Sequence, residues 1–561
     1  MKGWRSNLVL IFVFITLAAI LSRLIYVQIV NRLYWKAMAQ GQQNIFEESF
    51  GERGTISLSE NAFSIAINKN STFVYASPSE ITDCTTTAKN LSEILNIKEN
   101  LILEKLKKED TFFVLLKEKL ENSEIEKLKE LAISGIYLGQ ERQRSYPQGN
   151  FASHILGFVD ANSEGQYGLE GYYNDILKGK EKLLQKEKGP LGYFFPDLEA
   201  EDNKGANLVL TLDYNIQFMA EKLLKEKKEV FNFSSGQIIV MDPVSGKMIA
   251  LANFPDFDPN KYSEYANESL EIFQNSATQK VFEPGSTFKP ITMAAALEEG
   301  KITPQTTYVD EGKLKIGGYI ISNYDNRVWG KRTMTEVLEK SINTGAVFAE
   351  KLIPHDVFLS YIEKFGFLEK TGIDLPEKYS ENKELLKGYE INFATCSFGQ
   401  GIAMTPIQLC RAFCAIANGG KLVKPYVVDK KVENGTEIVT TPEISEQVIS
   451  QMTASQVTAM LVSVVDNGYG KAAKIPGYHI AGKTGTAQIP FSALGIDKSG
   501  YSDKTVQTFI GYAPAFGPKF LILIKLDNPN TKTAEYSAVP IFQELAKFII
   551  NYWQIPPDYN V

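Results

Sequence analysis

Apolar and polar residues alternate along this chain in ways that divide it into three stretches. Residues Leu8 to Ile20 form a run broken only by Thr16, and Leu24-Ile25-Tyr26-Val27 extend it past Arg23. A run of that length predicts a helix able to cross a bilayer, with Arg23 snorkelling to the interface. From about Gly41 to Gly205 the pattern changes to short strands and charged helices. Glu121 to Leu131 has the 3.6-residue period of an amphipathic surface helix. Beyond Gly205 the apolar runs lengthen. Gly236–Met241 and Lys247–Leu251 flank Asp242-Pro243-Val244-Ser245-Gly246, which predicts a hairpin. Three further strands are predicted around Ala481–Gln488, Thr505–Tyr512 and Lys519–Leu526, joined as an antiparallel meander. The expected organisation is a tail and anchor helix over 1–40, a second domain over 41–205 and a third over 206–561.

Composition adds limits. A chain of 561 residues exceeds one ordinary domain, and 44% hydrophobic with 22% charged is globular. A net charge of -7 gives no basis for nucleic-acid binding. Four cysteines make no disulfide framework, and Cys410 and Cys414, four apart, predict small buried thiols on one helix face. His154, His355 and His479 fall in no ligand-spaced motif, so neither a metal nor a cofactor is expected.

Three short strings carry the chemistry. Ser286-Thr287-Phe288-Lys289 follows Glu283-Pro284-Gly285 and precedes the helix-forming run Ile291–Leu297. Ser286 is therefore placed at a helix start, where free N–H groups and the helix dipole favour negative charge. Lys289 lies about one turn on, on the same face. A serine hydroxyl is a weak nucleophile until a base takes its proton, and lysine serves only when burial and nearby positive charge lower its pKa. Ser341-Ile342-Asn343 sits between two helical segments and offers a hydroxyl for proton transfer and an amide for holding a peptide backbone. Lys483-Thr484-Gly485-Thr486 lies on a strand, where glycine permits close backbone approach and the lysine with two threonine hydroxyls forms an anion site. Taken singly, each string reads equally well as a capping serine, a polar helix cap or a phosphate contact. No phosphate-loop pattern accompanies the third.

With these three strings the chain resembles the class B penicillin-binding proteins, monofunctional transpeptidases that cross-link peptidoglycan. The resemblance extends to Arg53-Gly54-Thr55-Ile56, Arg144–Gly149, His154–Val159, Gly168-Leu169-Glu170, Leu210–Asp213 with Gln217, Phe365-Gly366-Phe367, Thr371–Pro376 and Gly399–Gln408. It implies an α+β fold with a single N-terminal transmembrane helix, a β-rich elongated pedestal, and a C-terminal domain whose central antiparallel sheet is flanked by helices. It also implies that Ser286 is acylated with Lys289 as base, and that Ser341 relays a proton. Asn343 would hold the stem peptide, and Lys483, Thr484, Gly485 and Thr486 would bind its terminal carboxylate. Backbone N–H groups of Ser286 and Thr486 would form the oxyanion hole.

The expected partners are peptidoglycan stem peptides, β-lactams as covalent inhibitors, a membrane glycan polymerase and division proteins. The expected location is the cell membrane, with the N-terminus cytoplasmic and the catalytic domain outside. A septal role is favoured over elongation from the Thr371–Pro376 pattern and the short pedestal. A β-lactam sensor, a silent scaffold and a carboxypeptidase are the alternatives. Two segments depart from the family pattern: Ser57-Leu58-Ser59-Glu60-Asn61, and Ala534–Pro540 where a glycine pair is usual.

Overall fold

The long apolar runs of the C-terminal half become strands buried on both faces, as such runs require. In the computed structural model of the chain, residues 4–25, 44–50, 52–58, 63–108, 111, 113–179, 181–187, 204–265 and 269–560 are described. Five antiparallel strands form the central sheet, in the order Met248–Phe254, Ser235–Met241, Phe520–Asp527, Tyr501–Ala513 and Ala481–Pro490. The predicted hairpin and meander are both present, and they join in one sheet through the pairing of Ile238 with Ile524.

Successive residues of each strand feed opposite cores. Ile238, Val240, Phe509, Ile522 and Ile524 pack with the helices Tyr214–Phe231 and Ala538–Tyr552 through Leu223, Phe542, Leu545 and Ile549. Ile239, Met241, Ile510, Leu521 and Leu523 face the larger core, which contains the helices Lys289–Glu298, Pro406–Ala417 and Gln451–Asn467. Cys410 and Cys414 are fully buried on the second of these, as their spacing predicts.

The chain divides into two compact units, residues 1–54 with 178–206, and residues 55–177 with 207–561. In the first, Asn44–Phe50 pairs antiparallel with Glu181–Glu187, and a helix covers Trp4–Ile25. The described side chains from Phe12 to Leu21 are exposed on that helix, and Thr16 Oγ1 donates to Phe12 O at 2.8 Å. Among the described residues no helix is long and apolar enough to cross a membrane. Tyr26 and Val27 of the predicted span lie outside the described residues, as do Ser59-Glu60-Asn61.

In the second unit a seven-stranded sheet runs from Thr436–Val439 through Val428–Glu433, Asn207–Leu210, Ile56–Leu58 and Ser64–Ala76 to Val114–Lys117, with Ile136–Ser145 also paired to Ser64–Ala76. Its alternate residues Val74 and Ala76 pack against Leu91, Leu95, Ile102 and Leu106 of the helices Cys84–Leu95 and Glu99–Leu106. Asp83 caps the first of these by accepting from Thr85 N and Thr86 N. The segment expected to be β-rich is therefore mixed, because charged residues between the strands carry helical periodicity as well as charge. The predicted amphipathic helix forms at Asn122–Leu131 and buries only Glu124 and Leu128.

One buried ion pair fixes the end of this sheet. Arg144 Nε donates to Glu170 Oε1 at 2.6 Å, with side chains 3% and 0% exposed. Removing one partner of such a pair strands the other charge and costs about 3–5 kcal/mol. Glu170→Ala is expected to speed hydrogen exchange of the Ile136–Ser145 strand by at least tenfold in the full chain. Unchanged protection there would show that the pair does not hold the strand.

Candidate active site

Four local features bring the three strings together. The turn Gly285–Phe288 leads directly into the helix Lys289–Glu298, with Pro290 in the first turn, where a missing N–H costs nothing. Gly285 has φ +53° and donates its N–H to Gly399 O at 3.0 Å. A Cβ on Gly399, itself at φ +82°, would lie 2.1 Å from Gly285 O, so glycine is required there. Gly485 plays the same part on the sheet side. A Cβ there would come within 2.3 Å of Thr508 Oγ1 and 2.9 Å of Pro284 O. That strand therefore lies directly against the serine turn.

Ser341 sits in the connection between the helices Met334–Glu339 and Asn343–Lys351. Its N–H donates to Leu338 O and the Ile342 N–H donates to Val337 O. With Ser341 at φ +53°, this is a Schellman closure with serine at the left-handed position usually given to glycine. Asn343 is the first residue of the next helix rather than a loop residue.

Lys289 is wholly buried, and its Nζ lies 3.0 Å from Ser286 Oγ. It also lies 2.6 Å from Ser341 O, 2.8 Å from Asn343 Oδ1 and 3.2 Å from Ser341 Oγ. The two shortest partners are carbonyl oxygens, which only accept. They take the two N–H groups of a neutral amine and leave its lone pair for the Ser286 hydroxyl. Burial and the Lys483 charge hold the Lys289 pKa well below its ordinary value. Lys483 is also wholly buried. Its Nζ donates to Thr484 O at 2.9 Å and to Ser341 Oγ at 3.1 Å, and burial pushes it down to about 7. Ser341 Oγ thus stands between the two amines.

Thr484 is buried with its hydroxyl 3.4 Å from Lys483 Nζ. Thr486 Oγ1 accepts from Ala534 N at 3.2 Å, which leaves its O–H free to donate. The structure thus gathers Ser286, Lys289, Ser341, Asn343 and Lys483 by direct hydrogen bonds. Thr484 and Gly485 join them by contact, and Thr486 lies next along the strand. The histidines stand elsewhere. His154 Nε2 is 2.9 Å from Ile272 O, His355 stacks on Phe393, and His479 packs by Tyr559.

Several residues around this cluster carried no functional signal in the sequence. Glu283, three residues before Ser286, accepts from Tyr501 Oη at 3.0 Å and from Gly401 N at 3.1 Å, and burial raises its pKa. Asp310 and Asn323 are buried beside the start of the helix Asn343–Lys351. Glu283 was visible only as part of a turn-forming run. Asp310 and Asn323 had no local signal, since the contacts that tie them to each other and to Thr344 span 13 to 34 residues.

The roles expected of the two lysines, Lys289 neutral and Lys483 charged, predict a bell-shaped pH profile for acylation of Ser286. The acid limb reports protonation of Lys289, since the proton-accepting form is lost as pH falls. The alkaline limb reports deprotonation of Lys483 near its value of about 7. Lys483→Arg, which stays charged, should retain the acid limb and lose the alkaline one. An unchanged alkaline limb in that variant would remove Lys483 from the assignment.

Known proteins share both the sequence and the fold. Residues 236–547 match the penicillin binding protein transpeptidase domain, and residues 48–210 match the penicillin-binding protein dimerisation domain. The chain is 33% identical to the Stage V sporulation protein D of Bacillus subtilis over 543 residues, covering 94% of this chain and 82% of that protein. It is 30% identical to the peptidoglycan D,D-transpeptidase FtsI homolog of Mesostigma viride over 595 residues, covering 99% and 96%. Penicillin binding protein 2X from Streptococcus thermophilus superposes with a TM-score of 0.74 at 23% identity, covering 90% of this chain and 80% of that one. Penicillin binding protein 3 of Mycobacterium tuberculosis, complexed with aztreonam, gives 0.70 at 24%, covering 91% and 98%. At those identities the two structures speak for the fold. A serine, a buried lysine with a lowered pKa and a lysine-bearing strand in one hydrogen-bonded cluster agree with these matches, and the chain belongs to the penicillin-binding proteins that join a dimerisation domain to a transpeptidase domain.

Proposed function

We propose that the chain is a peptidoglycan D,D-transpeptidase working through an acyl-enzyme on Ser286. The observation that carries this is the Lys289 amine, whose two N–H groups are taken by Ser341 O and Asn343 Oδ1 while Ser286 Oγ lies 3.0 Å away. Ser286 Oγ attacks the penultimate D-Ala carbonyl of a stem pentapeptide as Lys289 Nζ takes its proton. Backbone N–H groups of Ser286 and Thr486 receive the oxyanion. The C–N bond breaks and D-Ala leaves, its amine protonated through Ser341 from the lysine pair. An amine of a second stem then attacks the ester, loses a proton to Lys289 and regenerates Ser286.

Before acylation the substrate's terminal carboxylate is held by Lys483 with the hydroxyls of Thr484 and Thr486, beside Gly485, and Asn343 holds the peptide. A β-lactam presents the same carboxylate and an activated carbonyl. It would acylate Ser286 and stay, because the motifs supply no base for hydrolysing that ester. A carboxypeptidase differs only in accepting water, and a scaffold or sensor only in lacking turnover. No cofactor enters any step.

The proposed boundaries are an anchor within 1–40, a pedestal over 41–205 and the catalytic domain over 206–561. The apolar sequence run Leu8–Ile20, extended past Arg23 by Leu24-Ile25-Tyr26-Val27, is what supports a membrane anchor. The N-terminus would be cytoplasmic and the catalytic domain outside, where the substrate lies. A glycan polymerase and division proteins are the proposed partners. The Thr371–Pro376 pattern and the short pedestal favour work at the septum, and likeness to the Stage V sporulation protein supports a second reading, a role confined to sporulation.

Labelling with a fluorescent penicillin, followed by peptide mapping, tests the chemistry. A stable adduct on Ser286, absent from Ser286→Ala, is expected. No adduct on the folded wild-type chain would overturn the mechanism. A fluorescent fusion in the native host tests the setting. Signal at vegetative division septa is expected, whereas signal only in sporulating cells would move the role to the second reading.

A further inference from the structure

The helix Asn343–Lys351 starts without a cap of its own, for Ile342 at its N-cap position makes no side-chain hydrogen bond. Its first donors are satisfied from another element. Asn323 Oδ1 accepts from Asn343 N at 3.0 Å and from Thr344 N at 3.1 Å. The Asn323 amide is itself fixed, because Nδ2 donates to both Asp310 oxygens at 2.9 Å and to Arg327 O at 3.1 Å. Asp310 further accepts from Gly312 N, Trp329 N and Thr344 Oγ1, the last at 2.6 Å. Asp310, Asn323 and Thr344 are 1%, 5% and 7% exposed, so this network is sealed from water.

The residue before Asn323 completes the arrangement. Asn343 Nδ2 donates one hydrogen to Ser322 O at 3.0 Å, while Asn343 Oδ1 accepts from Lys289 at 2.8 Å. A primary amide has two N–H donors. With the carbonyl and one N–H occupied, a single N–H remains for a substrate carbonyl, and its direction is set by the other two contacts.

The geometry points to Asn323, backed by Asp310, as a positioning residue that aims this remaining N–H of Asn343 at the amide carbonyl on the acyl side of the substrate. Asn323 touches neither Ser286 nor the substrate carboxylate site. It acts by holding the backbone of Asn343 and, through Ser322, the plane of its side-chain amide. Without it, two buried N–H groups lose their acceptor and the helix start is free to shift. This inference rests on acylation of Ser286, which the same experiment measures independently.

The test compares two penicillins in the full chain: benzylpenicillin, which carries an acyl-side amide, and 6-aminopenicillanic acid, which lacks one. Asn323→Ala is expected to lower the second-order acylation constant for benzylpenicillin about tenfold, the scale of one buried hydrogen bond. It should change that for 6-aminopenicillanic acid by less than about threefold. In an Asn343→Ala background the Asn323 substitution should add less than about twofold, as expected for residues acting as one unit.

Equal losses on both penicillins, or a full tenfold loss on top of Asn343→Ala, would reduce Asn323 to a residue needed for folding alone. Wild-type rates in Asn323→Ala would also overturn the inference. If Asn323→Ala does not fold, the same comparison is made with Asn323→Ser, and the same outcomes decide it. Loss of all acylation by wild type itself would instead sink the acyl-enzyme reading.

Discussion

Two amines wholly removed from water share one hydroxyl in this protein, and they cannot both carry a proton without severe cost. Moving a charge into a low-dielectric interior is unfavourable, and placing a second like charge beside it compounds the penalty. The lysines therefore divide the task. In the proposed division Lys289, with two carbonyl acceptors, a neighbouring cation and a pKa held well below the ordinary value, is the neutral one, and Lys483 keeps the proton when only one is present. Every other feature of the site follows from keeping that inequality: the acceptors for Lys289, the Thr484 carbonyl for Lys483, and the exclusion of water from both.

Building such a pair needs rigid elements on three sides. The central sheet supplies Lys483 from a strand with both faces covered, so its position is fixed by two cores at once. The helix Lys289–Glu298 enters the larger core and presents its first residue to the sheet. The third side is a short connection between two helices, the least rigid part by length. It is held by backbone closure at Ser341 and by the Asp310–Asn323 network at Asn343. Glycines at 285, 399 and 485 remove the side chains that would keep these parts apart. Precision in the site therefore comes from absent atoms as much as from present ones.

The sequence made a good part of this legible. Strand runs such as Gly236–Met241 and Lys519–Leu526 were readable because apolar residues dominate them, and the helix after Ser286 from the helix-forming run Ile291–Leu297. The three strings marked the side chains that the structure gathers because, in that order, they resemble the motifs of a known family. What stayed hidden was support that depends on distance in the chain. Asp310 and Asn323 look like ordinary turn residues, and nothing local shows that their oxygens reach the next helix. Glu283 reads as part of a turn until Tyr501 is seen to donate to it across more than two hundred residues. The β-rich expectation for the earlier domain failed for the opposite reason. That expectation came from the resemblance, whereas the residue pattern itself already showed charged helices among the strands.

Ser341 stands where folding and chemistry ask for different residues. A left-handed helix terminus is most comfortable as glycine, whereas the relay proposed for this residue between the lysines demands a hydroxyl. The protein keeps the hydroxyl and accepts local backbone strain of about 1–3 kcal/mol, the usual scale for a residue held in this region. A single change to glycine would relax the backbone and silence the relay together. Mutational drift at this position therefore runs downhill in energy toward an inert protein, and activity persists only where selection opposes it.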